Sequence, residues 1–230
     1  MRFTLWDDFL ALVFPVTCNL CNRSLFAFES ELCRTCEASL PVTLFHQSPL
    51  ENELTQKLMG LTDIRMALAY LRFSKRGKSQ KLLHQLKYRN RPMLGVKLGR
   101  MYGELLVQQG LEKEWDLIIP VPLHRSKERR RGYNQSRCFA DGLGESLGIR
   151  VVNGLERTVN TATQTRKNRL QRWENVSEVF HIVDEVSLVG KRILLVDDVM
   201  TTGATLAACA NVLHTARPSY VDLAVIAAGR

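Results

Sequence analysis

The sequence predicts an α/β protein, a mostly parallel sheet with helices on both faces, preceded by a small metal-stabilised module. Three observations carry this. From about residue 65 short apolar runs alternate with helical patterns, as parallel strands joined by crossover helices do. Four of the six cysteines form two Cys-x-x-Cys pairs, Cys18/Cys21 and Cys33/Cys36. At about 150 residues per domain, the 230 residues hold one substantial domain and one small one. The expected division is residues 1–60 and 61–230.

With 45% hydrophobic and 24% charged residues, the chain is neither disordered nor fibrous. No apolar run approaches the roughly 18 residues of a membrane span; residues 9–16 come closest. Asp7 and Asp8 interrupt what would be the start of a secretory signal. A cytoplasmic protein is the expectation.

Leu5, Trp6, Phe9, Leu12 and Val13 recur at helical spacing up to Pro15. This predicts a helix packed on the main domain, because its acidic polar face disfavours anionic lipid. Next come the cysteines. A Cys-x-x-Cys turn directs both sulfurs to one point, and two turns supply four thiolates for tetrahedral zinc. Eleven residues separate the pairs, shorter than the commonest spacing of roughly 15–20, which suits a zinc ribbon with one short hairpin. A disulfide pair is disfavoured in a reducing compartment, and a redox site needs only one pair. Four sulfurs leave no open coordination position, so Zn2+ on Cys18, Cys21, Cys33 and Cys36 is expected to be structural. The segment is acidic, which makes a protein partner or its own second domain likelier than phosphates. Cys138 and Cys209 are expected in the core.

Residues 66–73 read as a strand, 79–106 as one or two helices broken near Pro92, and 117–122 as a short buried strand. A basic loop, a helix over 136–147 and a strand over 150–155 follow. Residues 179–183 and 192–196 are strand-like, 205–214 helical, and 220–228 a closing strand.

The formal charge is +9, but residues 1–60 carry 4 Lys+Arg against 7 Asp+Glu and residues 61–100 carry 11 against 1. The excess is concentrated between Arg72 and Arg91, with a weaker cluster over 125–137. Phosphates on a small molecule or on nucleic acid are the natural partners. Tyr88 and Tyr133 among these cations could stack on bases.

The most informative segment runs from Ile193 to Thr205. Four apolar residues form a buried strand, and Asp197 and Asp198 are expected to emerge at its carboxyl end, where open α/β sheets bind ligands. Thr201, Thr202, Gly203, Ala204 and Thr205 then turn into a helix whose N–H groups and hydroxyls converge on one anion-sized volume. A monophosphate beside two carboxylate acceptors suits a ribose 5-phosphate, with Mg2+ as a hard cation. Gly77-Lys78-Ser79 lacks the first P-loop glycine, since position 72 is Arg, so an ATPase is not favoured.

VDDVMTTGAT is similar to the phosphoribosyl diphosphate motif of type I phosphoribosyltransferases. Together with the cysteine pairs, HQLKYRNRP, VPLHRSKERRRGYNQS and QTRKNRLQRWENV, nearly the whole chain resembles the competence protein F (ComF/GntX-type) family. The resemblance implies a zinc ribbon fused to a phosphoribosyltransferase-type domain, and a role in competence or the use of extracellular DNA. It implies that Asp197 and Asp198 hold the ribose hydroxyls and that Thr201–Thr205 hold the 5-phosphate. Arg125, Arg131 and Gly132 would face the pyrophosphate. Residues 165–172 would form a mobile loop whose Arg166, Lys167 and Arg169 neutralise the leaving pyrophosphate. It names no acceptor base. Relatives with this fold also include regulators that turn nothing over, so a non-catalytic protein binding single-stranded DNA stays open, with the ribbon contacting a protein of the uptake machinery.

Overall fold

A computed structural model describes residues 15–158, 179–183 and 188–229. The expected helix over residues 5–13 and the loop over 165–172 lie outside them.

The strands are β1 (Ala67–Arg72), β2 (Leu117–Pro120), β3 (Arg150–Val151), β4 (Leu155–Arg157), β5 (Phe180–Ile182), β6 (Arg192–Met200) and β7 (Tyr220–Ala228). Five of them form one sheet in the order β1-β7-β6-β2-β3, and β4 and β5 form a separate ribbon. Every pairing in the large sheet is parallel, and the ribbon is antiparallel.

The helices are α1 (Arg34–Ala38), α2 (Glu53–Met59), α3 (Lys78–Tyr88), α4 (Pro92–Gln108), α5 (Arg125–Arg131), α6 (Gln135–Leu147) and α7 (Ala204–His214). Side chains alternate across a strand, so each central strand feeds two cores. Leu68, Tyr70, Leu194, Val196, Ala224 and Ile226 pack with α3, α4 and α6. Ala67, Ala69, Ile193, Leu195, Leu223 and Val225 pack with α2 and α7. This two-sided burial is why the strands read as unbroken apolar runs.

The cysteine module shares the first core through Cys18, Leu32, Cys33 and Leu40. Lys97 pairs with Glu37 at 2.7 Å, and Lys78 Nζ donates to the Ser39 carbonyl at 2.9 Å. The following segment lies along the outer edge of β1: Thr43 N–H donates to Tyr70 O at 2.9 Å and Arg72 N–H to Pro41 O at 2.8 Å. An edge that would otherwise offer unpaired backbone groups is thereby covered.

Two expectations are corrected. The basic segment after β2 is a helix, α5, begun by His124, whose Nδ1 accepts from Ser126 N–H at 3.2 Å, and ended by Gly132 at φ +83°. The strand expected over 150–155 divides into β3 and β4. Between them the chain passes so close to β2 that a Cβ on Gly154 would lie 2.7 Å from Ile119 Cδ1.

Glycines set how closely α4 and α6 cross. A Cβ on Gly99 would stand 2.2 Å from Phe139 O, and one on Gly142 would stand 2.1 Å from Val96 O. Gly99→Ala is therefore expected to lower stability by about 1–3 kcal/mol through overpacking, measured by urea unfolding. Gly60→Ala, with nothing within 4 Å of the added carbon, should change it little.

Candidate functional site

β2 ends at Pro120, paired with Val196, whereas β7 pairs with β6 as far as Met200. The expected strand end at residue 196 is therefore four residues too early. Asp197 and Asp198 sit within β6, beyond the last residue paired with β2. Neighbouring strand residues point oppositely, and the two carboxylates meet different partners. Asp197 Oδ1 accepts from Ser136 Oγ at 2.8 Å and from Asp198 N–H at 2.8 Å. Asp198 is buried and pairs with Lys87 Nζ, from the last turn of α3, at 2.9 Å.

Burial, and then the Asp198 charge, push the Asp197 carboxyl up to about 7, opposed by the Ser136 hydrogen bond. Burial lowers the Arg157 guanidinium on β4, opposed by the nearby Cys209 and Asp197 groups. Lys127 on α5 is lowered by burial and by the charges of Arg157, Arg131, Arg130 and Lys87. Cations from α3, α5 and β4 therefore gather around two carboxylates, an excess of positive charge suited to an anion.

Beyond Met200 the chain turns through Thr201, Thr202 and Gly203 into α7. Gly203 has φ +84°, and a Cβ there would come 2.5 Å from Leu58 Cδ2, so both conformation and packing require glycine. Leu58 and Lys57 belong to α2, and Lys57 Nζ donates to the Thr201 carbonyl at 2.7 Å. Thr201, Thr202, Ala204 and Thr205 are exposed. The start of α7 is thus exposed just after the acid pair, with the Ala204 N–H donating to Thr202 Oγ1 at 3.4 Å; an exposed helix start is a place where an anion can bind.

The other expected residues are distributed as follows. Arg125 on α5 is 80% exposed and lies 3.7 Å from Glu156. Arg131 Nη1 donates to Gln135 Oε1 at 2.7 Å, and Gly132 is the exposed cap of α5. Arg166, Lys167 and Arg169 lie outside the described residues. Lys87, Lys127, Ser136 and Arg157 were missed. Lys87 was visible only as one cation of a basic run. Ser136, Lys127 and Arg157 gave no separate signal, since each reaches the site through tertiary packing.

That basic run is not one surface. Arg72 pairs with Glu53 at 3.0 Å, Lys78 holds Ser39 and Lys87 holds Asp198, whereas Lys75, Arg76, Lys81 and Arg89 are exposed. Tyr133 is tethered through its hydroxyl to Leu86 O, while Tyr88 is exposed beside His84. Cys138 and Cys209 are buried, as expected.

The four Sγ atoms of Cys18, Cys21, Cys33 and Cys36 lie within 4.8 Å of one another. Cys21 and Cys33 sulfurs are 3.7 Å apart, close to the edge of about 3.8 Å of a tetrahedron with zinc–sulfur bonds of 2.3 Å. The Cys36 N–H and the Arg23 guanidinium hold the Cys33 thiol down to about 6. The cluster is consistent with a zinc ribbon and suits a closed structural ion.

The chain is thus a phosphoribosyltransferase-like α/β domain joined to a four-cysteine module, and residues 141–230 match the family model described as phosphoribosyl transferase domain. It is 31% identical over 211 residues to DNA utilization protein YhgH of Escherichia coli O6:H1, covering 85% of this chain and 83% of that one. The Salmonella typhimurium protein of the same name is 31% identical over 214 residues, at 89% and 86% coverage. Competence protein F of Haemophilus influenzae is 38% identical over 93 residues, 40% of this chain and 41% of its own. The chain belongs to the competence protein F (ComF/GntX-type) family. Among solved structures, glutamine phosphoribosylpyrophosphate amidotransferase of B. subtilis aligns with 62% of this chain and 30% of its own, at 22% identity and a TM-score of 0.44. Among the described residues no helix is long and apolar enough to cross a membrane.

The raised Asp197 value fixes the sign of a pH effect. Below about pH 4 the carboxyl is protonated folded and unfolded and contributes nothing. As pH rises from there to about 7, the folded state keeps a proton that the unfolded chain has lost, so stability falls and stays lower above. Asp197→Asn should therefore stabilise the fold more at pH 8 than at pH 4, measured by denaturant unfolding across that range. An equal effect at both pH values would contradict the assignment.

Proposed function

We propose that this protein binds phosphoribosyl diphosphate with Mg2+ and acts in competence or the use of extracellular DNA. The ribose hydroxyls meet Asp197 and Asp198, and the 5-phosphate meets Thr201–Thr205. The diphosphate lies toward α5, with Arg125, Arg131 and Gly132 and the added charges of Lys127 and Arg157. Arg166, Lys167 and Arg169, outside the described residues, neutralise the leaving pyrophosphate in this reading. Mg2+, when bound, would supply a hard cation that offsets the diphosphate charge, with the carboxylates of Asp197 and Asp198 as the groups that would hold it. The observation that carries this reading is the open start of α7 immediately beside an acid pair ringed by cations.

In this reading Lys87 is the cation that stands in for the ligand. Paired with Asp198 in the free protein, it swings to the diphosphate once the ribose hydroxyls take its place. The zinc holds the N-terminal module and takes no part in chemistry. The protein works in the cytoplasm, and the ribbon's acidic outer surface contacts a protein of the DNA uptake machinery.

Calorimetric titration with phosphoribosyl diphosphate and Mg2+ is expected to give saturable binding. Asp197→Ala with Asp198→Ala should lower the affinity by at least about a hundredfold, the size expected when hydrogen bonds to charged groups are lost, with the melting curve still cooperative. Unchanged affinity would overturn the site. A second reading draws on exposed Lys75, Arg76, Lys81, Arg89 and Tyr88: single-stranded DNA bound along α3 as a non-catalytic role. Its signature is a steep fall of affinity with salt, compared with a gentler one for the small ligand.

The metal assignment has its own check. Purified protein should hold one zinc per chain, and Cys33→Ser should lose it and unfold the module, seen as loss of protection in hydrogen exchange over residues 15–40. A metal-free protein with an intact module would refute it.

A further inference from the structure

Both acids are held from one short stretch of chain, residues 133–136, which leads from α5 into α6. Ser136 takes Asp197 directly, donating from Oγ at 2.8 Å. Asp198 is reached at one remove. Its partner Lys87 stands in the last turn of α3, where backbone carbonyls find no N–H further along the helix. The carbonyl of the preceding residue, Leu86, accepts instead from the Tyr133 hydroxyl and, at 3.4 Å, from Gln135 Nε2. The Tyr133 oxygen also accepts from the Arg91 N–H at 3.2 Å. It therefore ties the end of α3 to the start of α4, across a connection in which Asn90 has φ +50°.

The stretch is itself fixed. Asn134 Nδ2 donates to Val121 O, just past β2, at 3.0 Å, and its Oδ1 accepts from the Ser136 N–H at 3.0 Å. Gln135 is fully buried, and its amide is held in one orientation: Arg131 Nη1 donates to Oε1 at 2.7 Å, which leaves Nε2 for Leu86. These ties matter because a lysine ammonium ends a flexible four-carbon stem, and a repeatable position needs a fixed backbone beneath it. Lys87 Nζ spans both oxygens of Asp198, at 2.9 and 3.1 Å.

We infer that Tyr133 and Gln135 are positioning residues of the acid pair: through the Leu86 carbonyl they aim Lys87 at Asp198, while Ser136 beside them holds Asp197. One stretch of four residues thus sets the partners of both carboxylates together. The effect on a ligand rests on the ribose-phosphate reading above. The aim of Lys87 does not, and is read in the free protein.

The test uses the zinc-loaded full chain. In NMR the Lys87 ammonium signal, identified by its loss in Lys87→Met, is expected to exchange slowly with water. Tyr133→Phe keeps the ring and removes only the hydroxyl. It should speed that exchange about fivefold, the size expected for one hydrogen bond, and Gln135→Met should act in the same direction. In calorimetry with phosphoribosyl diphosphate and Mg2+, Tyr133→Phe should weaken binding about fivefold, because a released lysine must be ordered on the ligand. Placed on Lys87→Met, the same substitution should change nothing further, as a residue acting through Lys87 requires. Unaltered Lys87 exchange in both variants would overturn the inference. So would an equal loss of affinity with and without Lys87, which is what a general loosening of the fold produces. If the wild type binds no phosphoribosyl diphosphate, the ligand reading fails by itself and the exchange measurement alone decides the positioning role.

Discussion

Two adjacent carboxylates held together within one strand repel each other, so Asp197 and Asp198 each need a partner of their own. A buried charge left unpaired costs several kcal/mol, and this dictates much of what surrounds β6. Lys87 has to reach in from the end of α3, and Ser136 has to stand at the start of α6. Arg157 comes from a ribbon outside the main sheet. The short β2 makes the arrangement possible by ending before the acids and leaving them open on one side. The long β7 pairs alongside them and keeps their backbone rigid.

The same geometry explains how the two parts of the chain depend on each other. The segment leaving the cysteine module runs along the edge of β1 and leads into α2, and α2 supports the turn before α7 through Leu58 and Lys57. A local change in the module is therefore carried through a short, continuous set of contacts to the turn that opens α7. Zinc, if it orders the module, contributes to the site without touching it.

Most of the sheet was legible because its strands are buried on both faces and bounded by polar turns. β1, β2, β6 and β7 appear where the apolar runs stand, and Pro92 divides the helices as its missing N–H requires. The extent of β6 was not legible, since two aspartates normally end a strand and only pairing with β7 holds them in one. Nor was α5, because seven residues rich in arginine carry no apolar face; capping by His124 and Gly132 defines it. For the site, the acids and the threonine–glycine turn could be read from local sequence. Their partners could not: Lys87 and Ser136 stand in segments that carry the family resemblance, but that these side chains meet the acids is decided by topology, as it is for Arg157.

The central claim is that the acid pair and the turn into α7 together hold a ribose phosphate. A crystal structure of the zinc-loaded protein with phosphoribosyl diphosphate and Mg2+ tests it most directly. The account predicts the 5-phosphate at the N–H groups of residues 202–205, the ribose hydroxyls at Asp197 and Asp198, and Lys87 moved from Asp198 to the diphosphate. A ligand seated elsewhere, with Lys87 still bonded to Asp198, would contradict it.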